Sequence, residues 1–138
     1  MKNNPIVIAM TLALLASAAA CAQTVHLQTV VPFDFNVGKL QFPAGKYDIR
    51  SENPTSHVLY IRNMTSGKGS FVVPQSCESA HPSSHTRLTF HRYGQTYFMA
   101  EVWVAGYAQG HQLGVSPTEA EVAKQYSKKE TTLLAAKK

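Results

Sequence analysis

Two runs of aromatic and β-branched residues flank Tyr93-Gly94 in TRLTFHRYGQTYFMAEVWV, residues 86–104. That two-residue alternation limits the fold more than any other feature of the chain. Strand side chains point to opposite faces in turn, whereas a helix repeats every 3.6 residues. Glycine tolerates the positive φ that a tight hairpin turn requires, so the pair at 93–94 marks a turn between two strands. Read by strict alternation, Phe98, Ala100, Val102 and Val104 share one face of the second strand. Tyr97, Met99, Glu101 and Trp103 share the other. A strand apolar on both sides belongs in the interior of a sheet. The hairpin is therefore expected at the centre of an antiparallel β domain.

The first 22 residues read as a removable leader. Lys2 precedes an apolar run, Ile6–Ala20, that is short for a bilayer span. Ala20-Cys21-Ala22 matches a small-residue cleavage site, leaving Gln23 as the mature N-terminus. This predicts a secreted or periplasmic protein. The alternative is a lipoprotein anchored through Cys21, and Ala18, where a lipoprotein signal prefers leucine, argues against it. No basic stop-transfer cluster follows, so no stable membrane insertion is expected after cleavage. The rest of the chain is long enough to bury one core in a single domain. Cleavage leaves Cys77 as the sole cysteine, which excludes an internal disulfide. It also removes Lys2, taking the formal charge from +5 to +4. Lys128, Lys129, Lys137 and Lys138 hold much of that charge near the C-terminus. The near-neutral body lacks interleaved basic and aromatic residues, which argues against nucleic-acid binding.

Val31, Phe33, Phe35 and Val37 alternate with Pro32, Asp34 and Asn36, predicting a half-buried strand that starts at a sheet edge because Pro32 cannot donate. Further strands are expected at Leu40–Phe42, Tyr47–Arg50, Val58–Arg62, Ser70–Val73 and near His111–Val115, with turns at Gly38, Pro43-Ala44-Gly45 and residues 65–69. Val58–Arg62 reads as interior. Residues 51–56 and 74–84 read as loops. Ser116-Pro117-Thr118-Glu119 is a capping box with proline at the first helical position. It predicts a helix from Pro117 to about Lys128, with Glu119 reaching back to Ser116 and a stripe of Val122, Ala123 and Tyr126 on the sheet. Residues 129–138 are expected to fray. The fold class is thus all-β: a small antiparallel sandwich or barrel of about seven strands with a short C-terminal helix. The expected organisation is leader 1–22, β domain 23–115, and helix with basic tail 116–138.

VPFDFNVG (31–38), FPAGKYDI (42–49) and LTFHRYGQTYFMAEVW (88–103) together resemble a family of small exported bacterial β proteins with VPFxFxVG, PAGxY and HRYG motifs. Phe42 stands where that family usually has leucine. The resemblance implies export and an all-β fold, and it implies no activity, substrate or catalytic residue.

Candidate chemistry is sparse. Cys77, His81, His85 and His91 are of the types that bind zinc or copper. Pro82 and the surrounding serines argue against a helix that would align them, so a solvated loop is the simpler reading. A nucleophilic Cys77 would need a positioned histidine and an oxyanion hole, for which no local signature exists. Glu101, if buried, needs a partner, and Arg87, His91 and Arg92 are nearest in the hairpin. Tyr93, Tyr97 and Trp103 would form an aromatic binding face if their side of the sheet were open. No paired carboxylates mark a glycosidase. No cofactor is called for. The function expected is an exported, non-enzymatic β domain acting by contact with the envelope, an extracellular polysaccharide or a protein. The alternative is a small metal-binding or cysteine-dependent enzyme using the Cys77–His91 segment.

Overall fold

The structure, a computed structural model, describes residues 24–52 and 57–137; the expected leader and residues 53–56 of the expected 51–56 loop lie outside the described residues. The strands are β1 (His26–Val31), β2 (Phe35–Val37), β3 (Leu40–Phe42), β4 (Gly45–Ser51), β5 (Leu59–Asn63), β6 (Gly69–Val72), β7 (Gln75–Glu78), β8 (Arg87–Tyr93), β9 (Thr96–Trp103), β10 (Gln109–Gln112), β11 (Lys128–Leu134) and β12 (Ala136–Lys137). Among the described residues one helix, α1, covers Pro117–Ala123. They form a β-sandwich, not a closed barrel. One sheet has the order β12-β1-β4-β5-β6. The other has β11-β8-β9-β10-β7, with β2 beside β9 and β3 on β2. The pairings are antiparallel except β2 with β9.

The core lies between the sheets. Leu27, Val31, Tyr47, Ile49, Leu59 and Ile61 come from one; Phe35, Leu88, Phe90, Met99 and Val102 come from the other. Each such side chain, fully buried, contributes roughly 1.5–3 kcal/mol. The resemblance motifs build one corner of this core. Phe35 stacks on Phe42 at 5.5 Å and meets Tyr47 edge-on at 5.0 Å. Asp34 Oδ1 accepts from the Ala44 amide at 2.8 Å, and the Tyr47 hydroxyl donates to the Pro43 carbonyl. The Val31–Gly38 and Phe42–Ile49 motifs thus meet in space.

Three expectations change. The strand read across Val30–Val37 is two strands in different sheets. Pro32 cannot extend the ladder, and the chain crosses from β1 to β2 through Pro32–Asp34. The segment read as one long loop contains β7, which pairs with β10. The tail expected to fray is paired: β11 runs along β8, and β12 returns to β1 in the opposite sheet. Thr131, Leu133 and Ala135 alternate inward there, and the charged residues at 128–130 lie on an exposed edge strand, where charge discourages further pairing.

The central hairpin forms as the periodicity predicts, with Gly94 at φ +61° in its turn. A β-bulge alters its faces. Thr89 pairs with Glu101 but Phe90 pairs with Met99, so Ala100 is the extra residue. The phase of β9 slips there. Met99 and Val102 both enter the core with Val104, and Tyr97 packs against it. Phe98 and Trp103 are buried outside that core, on the outer side of the sheet.

Helix α1 packs on that outer side. Ser116 caps it, its Oγ accepting from the Glu119 amide at 3.1 Å. Glu119 does not reach back to Ser116. It is 4% exposed and is the buried residue of the helix. Its Oε1 accepts from the Tyr93 hydroxyl at 3.0 Å and lies 2.7 Å from His91 Nδ1. A polar clasp therefore docks this helix rather than an apolar stripe. Tyr126 is 53% exposed and rests beside Gly94, where any side chain's Cβ would meet its ring at 3.3 Å. The helix ends at Ala123 because β11 begins only five residues later.

Candidate functional site

The four thiol and imidazole residues singled out by sequence are dispersed. Cys77 lies on β7 and His91 on β8, while His81 and His85 are exposed in the connection between those strands. Among the described residues no group of three or more His, Cys, Asp or Glu side chains could hold a metal ion. His85 Nδ1 lies 2.8 Å from Ser84 Oγ. His91 faces Glu119, and because a carboxylate only accepts, Nδ1 carries the hydrogen there. Burial, and then the negative charge of Glu101, push the Cys77 thiol above its ordinary range. That favours the protonated form, which is a poor nucleophile. His111, opposite Val102, has a buried Nε2 that finds no hydrogen-bond partner among the described residues, and burial followed by nearby His57 lowers its pKa.

The three residues of the expected aromatic face occupy three separate environments. Tyr93 is buried under α1. Burial, then its bond to Glu119 and that residue's charge, push its hydroxyl up to about 12. Tyr97 stacks on Phe33 at 3.8 Å between ring centroids, at the flank of the core. Trp103 is 6% exposed and lies flat on Gly110 of the neighbouring strand, where a Cβ would come within 2.7 Å of the indole. Its Nε1 donates to Glu101 Oε2 at 2.8 Å, so the indole is the carboxylate's partner. The Arg87 guanidinium lies over the ring at 5.1 Å and donates to Ser83 Oγ at 2.7 Å. The bulge at Ala100 accounts for the separation, since it divides Tyr97 from Trp103 between opposite faces.

The open surface lies instead on the outer side of the five-stranded sheet. Alternation places His26, Gln28 and Val30 of β1, Lys46, Asp48 and Arg50 of β4, Tyr60 and Arg62 of β5, and Gly69 and Phe71 of β6 away from the core. Register aligns them in rows across the strands. The first row reads His26, Arg50, Tyr60, Phe71; the second reads Gln28, Asp48, Arg62, Gly69. Val30 and Lys46 begin a third, beside Met64, whose amide donates to the Lys46 carbonyl at 2.9 Å.

Within the first row the Arg50 guanidinium lies over Tyr60 at 5.7 Å, and Tyr60 lies beside Phe71 at 4.6 Å, tilted by 36°. Tyr60 leans across β6 above Gly69, where a Cβ would come within 2.6 Å of its hydroxyl. Glycine at 69 is what lets the ring lie down. Phe71 keeps 60% of its surface exposed, and Arg50 and Arg62 are exposed as well. His26 of the first row reaches the second, its Nε2 lying 3.1 Å from Asp48 Oδ1, and Gln28 Nε2 donates to the same oxygen at 3.3 Å. His26, Gln28, Asp48, Arg62 and Met64 line a depression of about 250 Å³ beside the aromatic pair. A second cleft of about 460 Å³ opens between the β2–β3 hairpin and the β5–β6 turn, lined in part by Phe42, Lys68 and Gly69.

Sequence reasoning missed this face because residues 58–62, VLYIR, read as apolar on both sides. The signal available was the pair of short alternations Asp48-x-Arg50 and Tyr60-x-Arg62, which place charge and one aromatic ring on a common side. Among the described residues no helix is long and apolar enough to cross a membrane. No family model, curated protein or solved structure matches this chain.

Proposed function

We propose that this protein is an exported β domain that works by surface contact rather than by catalysis. Its contact surface is the outer face of the five-stranded sheet, and its partner is a component of the cell envelope or the surrounding matrix. The observation that carries the reading is the open Arg50–Tyr60–Phe71 stack. A phenylalanine left 60% exposed on a paired strand, beside a half-buried tyrosine and an exposed arginine, gains nothing for the fold comparable to the core side chains. Aromatic and arginine side chains are also those that dominate binding energetics when a partner covers them. Export rests on the leader pattern at residues 1–22 and on the motif resemblance. The enzyme alternative loses support from the protonated state favoured at Cys77 and from the engagement of His91 by Glu119.

The test is retention. The chain, expressed with its own leader and recovered after processing, is mixed with isolated envelope and matrix fractions and sedimented. Tyr60→Ala combined with Phe71→Ala should lower the retained fraction at least about tenfold, the loss of one hot-spot residue's worth of binding. Equal retention of the double variant, with its circular dichroism unchanged, would overturn the assignment of this face. An N-terminus other than Gln23 on the exported product would overturn the assigned processing site.

A further inference from the structure

We infer that the outer face of the five-stranded sheet binds an acidic polysaccharide, a chain of sugar rings bearing carboxylates. This rests on the contact-surface reading above and gives the partner's chemistry. Three features converge. First, Tyr60 and Phe71 present adjoining rings on an open strand pair, with Gly69 beneath Tyr60 and the Arg50 guanidinium over it. Phe71, with 60% of its surface exposed, offers its ring to the C–H face of a sugar, an apolar contact that needs no deep pocket.

Second, the rows carry Lys46, Arg50 and Arg62 against the single carboxylate of Asp48. Their net charge is positive, which complements an anionic ligand. Arg50 and Arg62 have the planar fork that pairs with a carboxylate through two parallel hydrogen bonds. They project from neighbouring strands in adjacent rows, Arg50 directly across from Tyr60 and Arg62 two residues along the strand from it. Strands are about 4.8 Å apart and same-face residues roughly 6.6 Å apart along a strand. Those steps are comparable to one sugar ring, so successive carboxylates along a chain can meet successive guanidinium groups.

Third, Asp48, Gln28 and His26 form a hydrogen-bonded set in the depression beside the rings. The amide and the carboxylate supply donors and acceptors suited to hydroxyl groups. A sugar chain offers hydroxyls between its carboxylates. A nucleic-acid strand also carries one charge per step, but it presents at most one free sugar hydroxyl between phosphates and leaves this set with little to bond. A protein interface core is depleted in charged residues, and here charged side chains occupy every row.

Oligogalacturonate is the probe, titrated calorimetrically into the processed chain at low salt, with uncharged cello-oligosaccharide and a single-stranded oligonucleotide of similar length alongside. Oligogalacturonate should bind, weaken as salt is raised, and bind at least tenfold more tightly than either comparison ligand. Tyr60→Ala, Arg50→Gln and Arg62→Gln should each weaken it by about tenfold. Tyr126→Ala, an exposed aromatic beside the Gly94 turn, should leave it unchanged. Absence of binding at millimolar probe, equal binding of the oligonucleotide, preference for the uncharged sugar, or indifference to the Tyr60 and arginine changes would overturn the inference. Envelope retention that depends on Tyr60 and Phe71 without oligogalacturonate binding removes the ligand class and leaves the contact face standing. Retention indifferent to those residues removes both.

Discussion

Both outer faces of the sandwich carry the same local device, an aromatic ring lying on a neighbouring strand's glycine with an arginine above it. On the seven-stranded sheet it is Arg87, Trp103 and Gly110; on the five-stranded sheet it is Arg50, Tyr60 and Gly69. The surroundings differ. Glu101 accepts the indole N–H, Ser83 takes the guanidinium, and 6% of Trp103 remains exposed. Tyr60 adjoins a phenylalanine that keeps 60% of its surface, on an edge strand. The first stack is closed by its own chain and acts as an additional small core. The second is held in position but left uncovered. A ring on a glycine is therefore not by itself a sign of function; what distinguishes the two is whether the polar groups around the ring are already engaged within the protein.

The largest contrast should come from truncating the rings. Trp103→Ala should cost roughly 3–5 kcal/mol, the range for removing a buried tryptophan, and Tyr60→Ala only about 1 kcal/mol, as for a half-buried site. Urea denaturation gives both values. Similar costs would mean that Tyr60 serves the fold as Trp103 does, and would erase the distinction.

The alkaline limb of stability tests the closed face next. The folded-state pKa of Tyr93 is raised from 10.0 to about 12. The neutral phenol is thus favoured in the folded protein, so its contribution is complete below pH 10 and is lost as pH rises toward 12. The parent should lose roughly 2–3 kcal/mol more than Tyr93→Phe across that interval, at 1.36 kcal/mol per pKa unit. Parallel curves for the two proteins would show that Tyr93 ionises as readily in the folded as in the unfolded chain, and that its bond to Glu119 does not hold the proton.

A smaller effect is expected from filling the glycine seats. At Gly110 a methyl group meets the indole at 2.7 Å, and the closed site gives it nowhere to go. At Gly69 it meets Tyr60, which can swing into solvent, and the Ile61 carbonyl, from which an edge strand can draw back. Gly110→Ala should cost about 2–3 kcal/mol and Gly69→Ala about 1 kcal/mol, within the range for overpacking. Gly69→Ala should also displace the Tyr60 ring and weaken ligand binding at little cost in stability. The reverse order of costs would place the rigid element on the wrong sheet.

The smallest contrast lies in the carboxylates. Glu101→Ala leaves the Trp103 N–H without its acceptor and should cost about 1 kcal/mol. Asp48→Ala, on the open face, should change stability by only a few tenths. Thermal melts of both variants check this.

Much of the framework was legible in the sequence. The alternation in residues 86–104 identified the hairpin, Gly94 its turn, and Ser116-Pro117 the start of the helix. The site was not legible in the same way. Tyr93, Tyr97 and Trp103 looked like one surface because periodicity assigns faces by counting, and the bulge at Ala100 shifts the count without leaving a local mark. Glu119 looked like half of a capping box; its carboxylate went instead to His91 and Tyr93, 28 and 26 residues away. The lysines at 128 and 129 looked like the beginning of a solvated tail, yet they lie on the edge strand that closes one sheet.

By itself, the sequence determined most of the segments that are extended, several of the turns, and that the fold is antiparallel β around one core, a sandwich or a barrel. Those properties follow from steric preferences and side-chain alternation within a few residues. Only the tertiary structure decided that Pro32 sends the chain from one sheet to the other, that the C-terminal strands bind both sheets, and that Trp103 is covered while Phe71 is not. Those outcomes depend on which strand edges and which faces find partners far away in the chain, and alternation sets only the relative phase of side chains, never which side meets water.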